Sequence, residues 1–382
     1  MVAGHLSEKN GLYYAVLSYS DALGKRKTKW IATGLPVKGN KKRAEVILME
    51  ERKRFRVDEP IGNEIYFADF LEQWLEIVKT TVAVATYASY SSMVKNVIAP
   101  YFRERKITLQ ALTAKHIQDF YLFKLKSVSA ASVIHYHANI HRALKYAVKM
   151  DLIQTNPSEK VERPKKEHYT AGFYDAEEMK RLFEVSRGTK LEIPILLGAF
   201  YGLRRSEAIG LKWDAVDFEN NTITIKHTVV SVNIDGKRML IESDSTKTKS
   251  SMRTLPLVPF VRERLSRLKE EQGNNRRLCG RSYRKEYLGY ICVNEIGDLI
   301  KPSYVTEQFP KLLEVNGLRR IRFHDLRHSC ASLMLANGVS MKQIQEWLGH
   351  SDFSTTANIY AHLDYTSKLM SADAIVSGLG LN

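Results

Sequence analysis

The chain carries the stretch Tyr201-Gly-Leu-Arg-Arg-Ser-Glu-Ala-Ile-Gly-Leu-Lys-Trp213. Arg204 and Arg205 follow Gly202, at the end of an apolar helical segment. Charged side chains are rarely buried in a hydrophobic core unless they have a partner. Guanidinium groups grip the oxygens of phosphates and carboxylates through paired hydrogen bonds. The stretch therefore indicates a site for an anionic ligand, and short strand-like runs after it predict a domain that mixes helices with small sheets.

Three further segments hold polar residues in similarly apolar surroundings. A basic loop, Ser245-Thr-Lys-Thr-Lys-Ser-Ser-Met-Arg-Thr254, runs into a predicted strand. In the helical segment His324-Asp-Leu-Arg-His328, the first histidine and the arginine share a face. A third segment, Leu348-Gly-His-Ser-Asp-Phe-Ser-Thr-Thr-Ala-Asn-Ile-Tyr360, ends on a predicted helix. Each segment alone is a weak signal, because surface salt bridges and buried tyrosines are common.

Together these segments supply the side chains that chemistry at a phosphodiester needs. Arginine neutralises the charge of a pentavalent transition state, and histidine moves protons near neutral pH. Lysine can protonate a leaving alkoxide, and a tyrosine hydroxyl can form a covalent intermediate. The combination predicts an enzyme that acts on the backbone of a nucleic acid.

The order and spacing of the segments resemble those of tyrosine recombinases, the phage-type integrases, and most closely the integrases of conjugative transposons. Gly202-Leu-Arg-Arg-Ser-Glu207 is similar to the first arginine box of that family. His324-Asp-Leu-Arg-His-Ser329 resembles its HxxR box. The C-terminal nucleophile box is matched by His350 and Tyr360, which lie ten positions apart, one more than in many relatives.

The resemblance implies a mechanism that begins at Tyr360. Its hydroxyl attacks the scissile phosphate, which forms a 3′-phosphotyrosyl bond and frees a 5′-hydroxyl. A 5′-hydroxyl from another duplex then reverses this step, so that neither ATP nor a metal ion nor any other cofactor is required. The family also implies the remaining roles: Arg204 and Arg327 hold the phosphoryl oxygens, Lys247 protonates the leaving 5′ oxygen, His324 is a general acid–base catalyst, and His350 hydrogen-bonds the phosphate.

Three neighbouring residues compete for the same roles. Arg205 directly follows Arg204, and the glycine-leucine-arginine order of the family favours Arg204. Lys249 lies in the same basic loop as Lys247, and family members place the lysine early in this loop. Tyr365 lies five residues beyond the predicted nucleophile, on a different face of any continuous helix.

Other classes of protein explain the pattern less well. His324 and His328 stand at the i, i+4 spacing of zinc hydrolases, but the catalytic Glu of HExxH is missing and Arg327 between them repels a cation. A regulator that binds DNA without cutting it would not need a competent residue at every catalytic position. A type IB topoisomerase uses related chemistry. The Leu-Gly-His-Ser segment and the N-terminal module at residues 1–60 favour a recombinase over a topoisomerase.

The chain is too long for a single core, and its patterns predict three units. Residues 1–60 combine alternating β-formers with a basic helix and resemble the small sheet domain that binds arm-type DNA sites. Residues 64–160 have helical periodicity and resemble the core-binding domain of the family. Residues 170–382 form the predicted catalytic domain and its C-terminal tail. We therefore predict a multidomain, mainly α protein with small β-sheets: a three-stranded N-terminal sheet domain, a helical domain and an α+β catalytic domain.

The net charge of +16 favours a polyanionic partner. Double-stranded DNA, at the ends of the mobile element and at the target site, is the predicted partner. The family resemblance further implies a homo-tetramer on DNA and raises a small directionality factor as a second partner. Candidate phosphate contacts lie in and beside a turn in the N-terminal unit, in the linker after residue 157 and in the basic loop: Lys25, Arg26, Lys27, Lys29, Lys165, Lys166 and Lys249.

Two features of the composition bear on where the protein works. No stretch approaches the roughly 18 to 20 apolar residues of a membrane span, and the N-terminus lacks the apolar core of a signal peptide. We therefore predict a protein of the bacterial cytoplasm, associated with the nucleoid. The apolar tail after Ala374 could dock on a neighbouring subunit or on its own domain, and the sequence leaves both open.

Overall fold

A computed structural model describes the following parts of the chain: residues 3–20, 26–54, 65–166, 172–244, 252–349, 376, 377 and 379. Several residues singled out above lie outside these parts, as does the predicted helix on which the segment from Leu348 to Tyr360 ends: Lys25, Lys247, Lys249, His350, Tyr360 and Tyr365.

The N-terminal unit is a three-stranded antiparallel sheet with one helix packed on it, as predicted. Its strands, in spatial order, are β1 Ala3–Lys9, β2 Leu12–Ser20 and β3 Arg26–Pro36. Asn10 and Gly11 both have positive φ, at 51° and 72°, which suits a two-residue hairpin turn. Helix α1, Lys41–Arg54, covers the sheet and brings Leu48 against the buried Leu17. This Asn-Gly pair is the sequence signal for β1, a strand that the alternation of β-formers after residue 12 does not predict.

The second unit is helical throughout. Its helices are α2 Phe67–Lys79, α3 Val84–Met93, α4 Ala99–Glu104, α5 Ala114–Leu125 and α6 Ala130–Lys149. Trp74, Phe102 and Phe120 are fully or almost fully buried in their shared core. A π-helical turn, Val94–Ile98, joins α3 to α4. The cause is Pro100, which has no N–H to donate and whose ring would collide with a carbonyl four residues earlier in a regular helix.

The third unit surrounds a small sheet with helices. Its helices are α7 Ala176–Ser186, α8 Glu192–Phe200, α9 Arg205–Gly210, α10 Pro259–Cys279, α11 Pro302–Val315, α12 Asp325–Ala336 and α13 Met341–Leu348. The sheet consists of β4 Val216–Asp217, β5 Thr222–Ile225 and β8 Arg253–Pro256, in that spatial order. As the acidic first turn predicts, Asp175 caps α7, and Glu178 returns a hydrogen bond to the backbone N–H of Asp175.

A separate hairpin lies between β5 and β8 in sequence. Its strands are β6 Thr228–Ile234 and β7 Lys237–Ser243. The turn residues Asp235 and Gly236 have φ of 50° and 81°, the backbone conformation that an Asp-Gly hairpin turn adopts. At the base of the hairpin, the buried His227 ring contacts Asp244 and lies 2.8 Å from the Tyr290 hydroxyl. The base is thereby tied to the third unit just before residue 245.

The tip of this hairpin reaches the helical unit. The Lys95 Nζ atom on the π-helical turn lies 2.6 Å from Asp235 Oδ1. Ile234 packs against the hydrophobic cluster of the helical unit. The β6–β7 hairpin of the third unit therefore brings the second and third units into contact.

Each unit has a hydrophobic cluster of its own, and a small further cluster joins α12 to α13. The fold class predicted from the sequence is confirmed. The boundaries at 1–60, 64–160 and 170–382 stay predictions. Within the described ranges, no helix has both the length and the apolar character needed to cross a membrane.

Candidate active site

The first arginine box is shaped by the turn at Gly202, between α8 and α9. Gly202 has a φ of 63°, in the left-handed region that favours glycine. A Cβ atom there would lie 2.3 Å from Cδ2 of Leu348, so the turn packs directly on the end of α13. Arg204 follows as the residue that precedes α9. The glycine therefore brings this arginine against the C-terminal end of α13.

Arg204 is held by Glu207, one turn further along α9. The Glu207 carboxylate accepts hydrogen bonds from the Arg204 backbone N–H at 3.0 Å and from its guanidinium at 2.7 Å. It also accepts one from Arg253 on β8, at 3.2 Å. Burial alone would raise the pKa of Glu207, but the charges of Arg253 and Arg204 lower it below its ordinary value. Glu207 is therefore an ionised, buried acid that anchors two arginines.

Arg327 comes from the HxxR box and is buried on α12. Its guanidinium donates to the carbonyls of Gly202, at 2.7 Å, and Leu348, at 2.6 Å. Burial, followed by the nearby charge of Arg204, lowers the pKa of Arg327 to about 9. The group still carries its charge at neutral pH, and the nearby carboxylate of Glu207 limits the fall in its pKa.

The three arginines converge on consecutive carbonyls at the end of α13. Arg253 donates to Trp347 O at 2.8 Å, and Arg327 donates to Leu348 O. Arg204 reaches Gly349 O at 3.5 Å. Helix C-termini leave carbonyls without intrahelical partners, and these carry a partial negative charge. Residues far apart in sequence therefore meet at one point, immediately before His350.

The charges at this point suit an anion. Among the described residues, the guanidinium groups of Arg204 and Arg253 bind the carboxylate of Glu207, and Arg327 lies beside them. Arg204 is also about one-third exposed, at 36% of its side chain, so solvent or a ligand can reach it. A phosphate group there could accept hydrogen bonds from a guanidinium group that a ligand can reach.

His324 lies at the start of α12, beside this cluster. Its ring stands perpendicular to that of His328, with centroids 5.5 Å apart. The residue has solvent access, but the protein around its ring displaces water, and this is the main reason that its pKa falls to about 4. The charges of His328 and Arg327 act in the same direction. His324 is therefore neutral at pH 7 and able to accept a proton.

Two members of the cluster were not given a role by the sequence. Glu207 was quoted within the first box, and its position three residues after Arg204 on a helix was the available signal. Arg253 stands in a strand whose alternate residues are buried, and a basic residue on the buried face of a strand signals a partner. Arg205, by contrast, turns away and contacts the Thr306 hydroxyl on α11. This arrangement supports Arg204 over Arg205 as the cluster arginine.

The remaining predicted residues fall into two groups. Lys247, Lys249, His350 and Tyr360 lie outside the described residues. The candidate DNA contacts Arg26, Lys27 and Lys29 lie exposed on β3, and Lys165 and Lys166 are exposed in the segment after α6. No group of three or more metal-ligating side chains occurs within the parts of the chain that the structure covers.

Comparison with known families identifies the class of protein. Residues 173–367 match the phage integrase family, and residues 66–125 match the phage integrase N-terminal SAM-like domain. The first match alone spans more than half of the chain. The protein therefore belongs to the phage integrase family, and the predicted resemblance is confirmed.

Particular relatives sharpen this result. A tyrosine recombinase XerC-like protein of Caldanaerobacter subterraneus subsp. tengcongensis is 29% identical over 322 residues, which cover 78% of this chain and 80% of the relative. The predicted enzyme class, a tyrosine-type site-specific DNA recombinase, is confirmed at the level of the family.

Solved structures show the same fold. The integrase of transposon Tn1549, in complex with a circular intermediate DNA, superposes with a TM-score of 0.66 at 17% identity, covering 81% of this chain and 99% of that one. A lambda integrase tetramer bound to a Holliday junction gives 0.60 at 18% identity, covering 93% and 94%. The architecture of the chain is thus that of integrases.

Proposed function

We propose that this chain is the integrase of a mobile element, which cuts and rejoins DNA strands at specific sites with Tyr360 as its nucleophile. One observation carries the proposal. Three arginines from separate segments converge with Glu207 on the end of α13, where the chain leads into His350. Clustered guanidinium groups at that point suit a phosphodiester, and the nucleophile box follows within a dozen residues.

The first step exchanges one phosphodiester for another. The Tyr360 oxygen bonds to the scissile phosphorus, and the bond from phosphorus to the 5′ oxygen breaks. The tyrosine proton passes to a base, for which His324 is suited because its low pKa leaves it neutral at pH 7. Lys247 gives a proton to the departing 5′ oxygen. Arg204 and Arg327 bind the phosphoryl oxygens as charge develops on them, and His350 donates a further hydrogen bond.

The second step reverses the first on a different strand. A 5′-hydroxyl of another duplex attacks the phosphotyrosyl phosphorus, and the tyrosine oxygen leaves with a proton. The number and type of phosphoester bonds do not change, so the cycle needs neither ATP nor a metal ion.

The proposed partner is double-stranded DNA at the element ends and the target site. The exposed basic residues of β3 and of the segment after α6 support phosphate contacts there. We further propose a homo-tetramer on paired sites, as the lambda integrase structure on a Holliday junction suggests. A small directionality factor is a second proposed partner. We propose that the reaction takes place in the cytoplasm, on DNA of the bacterial nucleoid.

A nicked duplex that carries the element end tests this proposal. Cleavage near the nick lets a short strand diffuse away, so the covalent intermediate accumulates. We expect an adduct that resists denaturant and forms equally well in EDTA. Tyr360→Phe should form none, whereas the matched variant Tyr365→Phe should form it. An adduct with Tyr360→Phe, or its loss in EDTA, contradicts the proposal.

A sulfur-substituted substrate separates Lys247 from Lys249. Sulfur in place of the bridging 5′ oxygen leaves as a thiolate, which needs no proton from the enzyme because a thiol has a pKa of about 8.5. On ordinary DNA, Lys247→Ala should slow cleavage by roughly 100-fold to 10,000-fold. The sulfur substrate should restore most of this rate. If Lys249→Ala shows this pattern instead, the two lysines exchange roles.

A further inference from the structure

A cavity of about 630 Å³ opens beside His324, at the start of α12. Its walls come from α9, α11, β6 and the segment that leads into α12. The polar side chains that line it are Arg205, Ser206, Thr306, Arg320, Arg322 and His324, together with one carboxylate, Asp325. The cavity therefore shares one residue with the proposed active site and is rich in cations.

Two of these cations lack a negative partner. Arg205 is partly buried, contacts the Thr306 hydroxyl, and pairs with no carboxylate among the described residues. Burial lowers the pKa of Arg205. Arg320 is exposed and likewise forms no ion pair within the described ranges. Arg322 differs, because the Asp325 carboxylate accepts hydrogen bonds from its guanidinium at 2.7 and 3.1 Å.

The two adjacent arginines of the first box therefore face different places. Arg204 faces the cluster at the end of α13, and Arg205 faces the cavity. His324 lines the cavity and also lies close enough to Arg327 for that charge to lower its pKa. A DNA strand whose scissile phosphate sits at the cluster would carry neighbouring phosphates of the same charge past the cavity.

We infer that the cavity binds a phosphodiester flanking the scissile one, with Arg205 as its principal contact and Arg320 as a second cation. This inference rests on the proposed function, since it takes the cluster as the scissile position. Arg205 would hold the strand in register rather than take part in bond breaking, and is in this sense a positioning residue. An arginine suits the task because its planar donors match phosphate oxygens.

Neutral phosphates placed one at a time in the DNA test the inference. The probe is an element-end duplex with a methylphosphonate at successive positions around the scissile phosphate. Binding is measured at equilibrium in the Tyr360→Phe background, so that no cleavage intervenes. In the protein that keeps Arg205, a methylphosphonate at one position beside the scissile phosphate should weaken binding about tenfold. Arg205→Gln should bind unmodified DNA about tenfold more weakly than the protein that keeps Arg205. A methylphosphonate at that position should not weaken the binding of Arg205→Gln any further.

Salt dependence gives a second readout. Each phosphate contact contributes roughly 0.9 to the slope of log affinity against log salt concentration. Arg205→Gln should lower the slope by about that amount, and Arg205→Lys, which keeps the charge, should retain it. The control Arg276→Gln removes an equal charge from α10, away from the cavity, and should leave the methylphosphonate pattern unchanged.

The inference is overturned if Arg205→Gln responds to every methylphosphonate as the parent does, or if its salt slope is unchanged. Neither measurement requires strand cleavage. Failure of the proposed function, by contrast, would show as the absence of any covalent adduct with the wild-type protein, so the two failures are distinguishable.

Discussion

At the scale of single residues, the site depends on a buried acid. Glu207 is 2% exposed and binds both Arg204 and Arg253. Without a negative charge there, three guanidinium groups would face one another and the carbonyls of α13. Glu207 contacts no substrate in this account, but it sets the position of the groups that do.

Glu207→Gln tests this dependence. The amide keeps the shape and removes the charge, which breaks the buried ion pair with Arg253 and the partly exposed one with Arg204. Breaking a buried ion pair in this way costs about 3 to 5 kcal/mol, and we expect the free energy of unfolding to fall by that order. Urea denaturation measures it. Glu263→Gln is the matched control, because its partner Arg267 is equally exposed on α10, and its effect should stay within about 0.5 kcal/mol. Equal effects for the two variants would contradict the role of Glu207.

The low pKa of His324 predicts a pH dependence of stability. In the unfolded chain a histidine takes up its proton near pH 6.5, whereas in the folded protein His324 does so only near pH 4. The unfolded state therefore binds more protons in this range, and His324 makes the fold less stable as the pH falls from 6.5 to 4. His328 has a lowered pKa as well and adds in the same direction.

His324→Gln should remove part of this loss. We expect the urea midpoint to drop less between pH 8 and pH 5 in the variant than in the wild type. The measurement at pH 8, where the histidine is neutral in both states, supplies the baseline for each protein. An identical drop in the two proteins would show that His324 is not the protonating group.

At the scale of elements, the turn between α8 and α9 and the end of α13 form one unit. Gly202 permits the turn, and its carbonyl accepts from Arg327. Leu348 fills the space that a side chain at position 202 would occupy. The geometry of the arginine cluster is thus fixed by backbone contacts and not by the arginines alone.

Gly202→Ala tests the close approach. Gly188 is the matched control, because it also has positive φ, at 72°, but has nothing within 4 Å of an added Cβ. Gly188→Ala should therefore carry only the left-handed backbone penalty, about 1 kcal/mol. Gly202→Ala adds a collision with Leu348 and should lower the free energy of unfolding by about 1 to 3 kcal/mol more. Equal losses would mean that the turn and α13 are not in firm contact.

Elements with strong local signals could be predicted from the sequence. The Asp175 cap and the Asp235-Gly236 turn follow from side-chain chemistry within a few residues, and both are present. The π-helical turn at Val94–Ile98 was missed because helical periodicity continues through it and only Pro100 signals the change. The docking of the β6–β7 hairpin on the helical unit depends on contacts between distant residues, which no local pattern encodes.

At the scale of the whole molecule, the hairpin links two units. Ile234 packs against the cluster of the helical unit, and Lys95 pairs with Asp235 beside it. The ion pair is exposed on both sides and contributes little, whereas the apolar contact removes surface from water. The contact at the hairpin tip therefore couples the stability of the helical unit to that of the third unit.

Ile234→Ser should weaken this link. Losing the apolar contact is expected to lower the melting temperature of the helical unit relative to the third unit by about 5 °C, as followed by calorimetry. Asp235→Asn is the control, because asparagine also tolerates positive φ and only the exposed ion pair is lost. If both variants melt like the wild type, the hairpin contact does not couple the units.

The site itself was predictable only in part. Arg204, His324 and Arg327 were predicted from motif order, and the structure places them around one point. Their common meeting place, the C-terminal carbonyls of α13, could not be foreseen because it arises from the packing of α8, α12 and α13. The ionic partners were likewise set by tertiary contacts between α9 and β8.

The central claim is that the phosphodiester held at this point is attacked by Tyr360. The most direct measurement is to digest the adduct formed on the nicked element-end duplex and to identify by mass spectrometry the residue that carries the DNA. The account predicts a single modified peptide, with the nucleotide joined to Tyr360 through a 3′-phosphate. Attachment to Tyr365, to any other residue, or through a 5′-phosphate would contradict it.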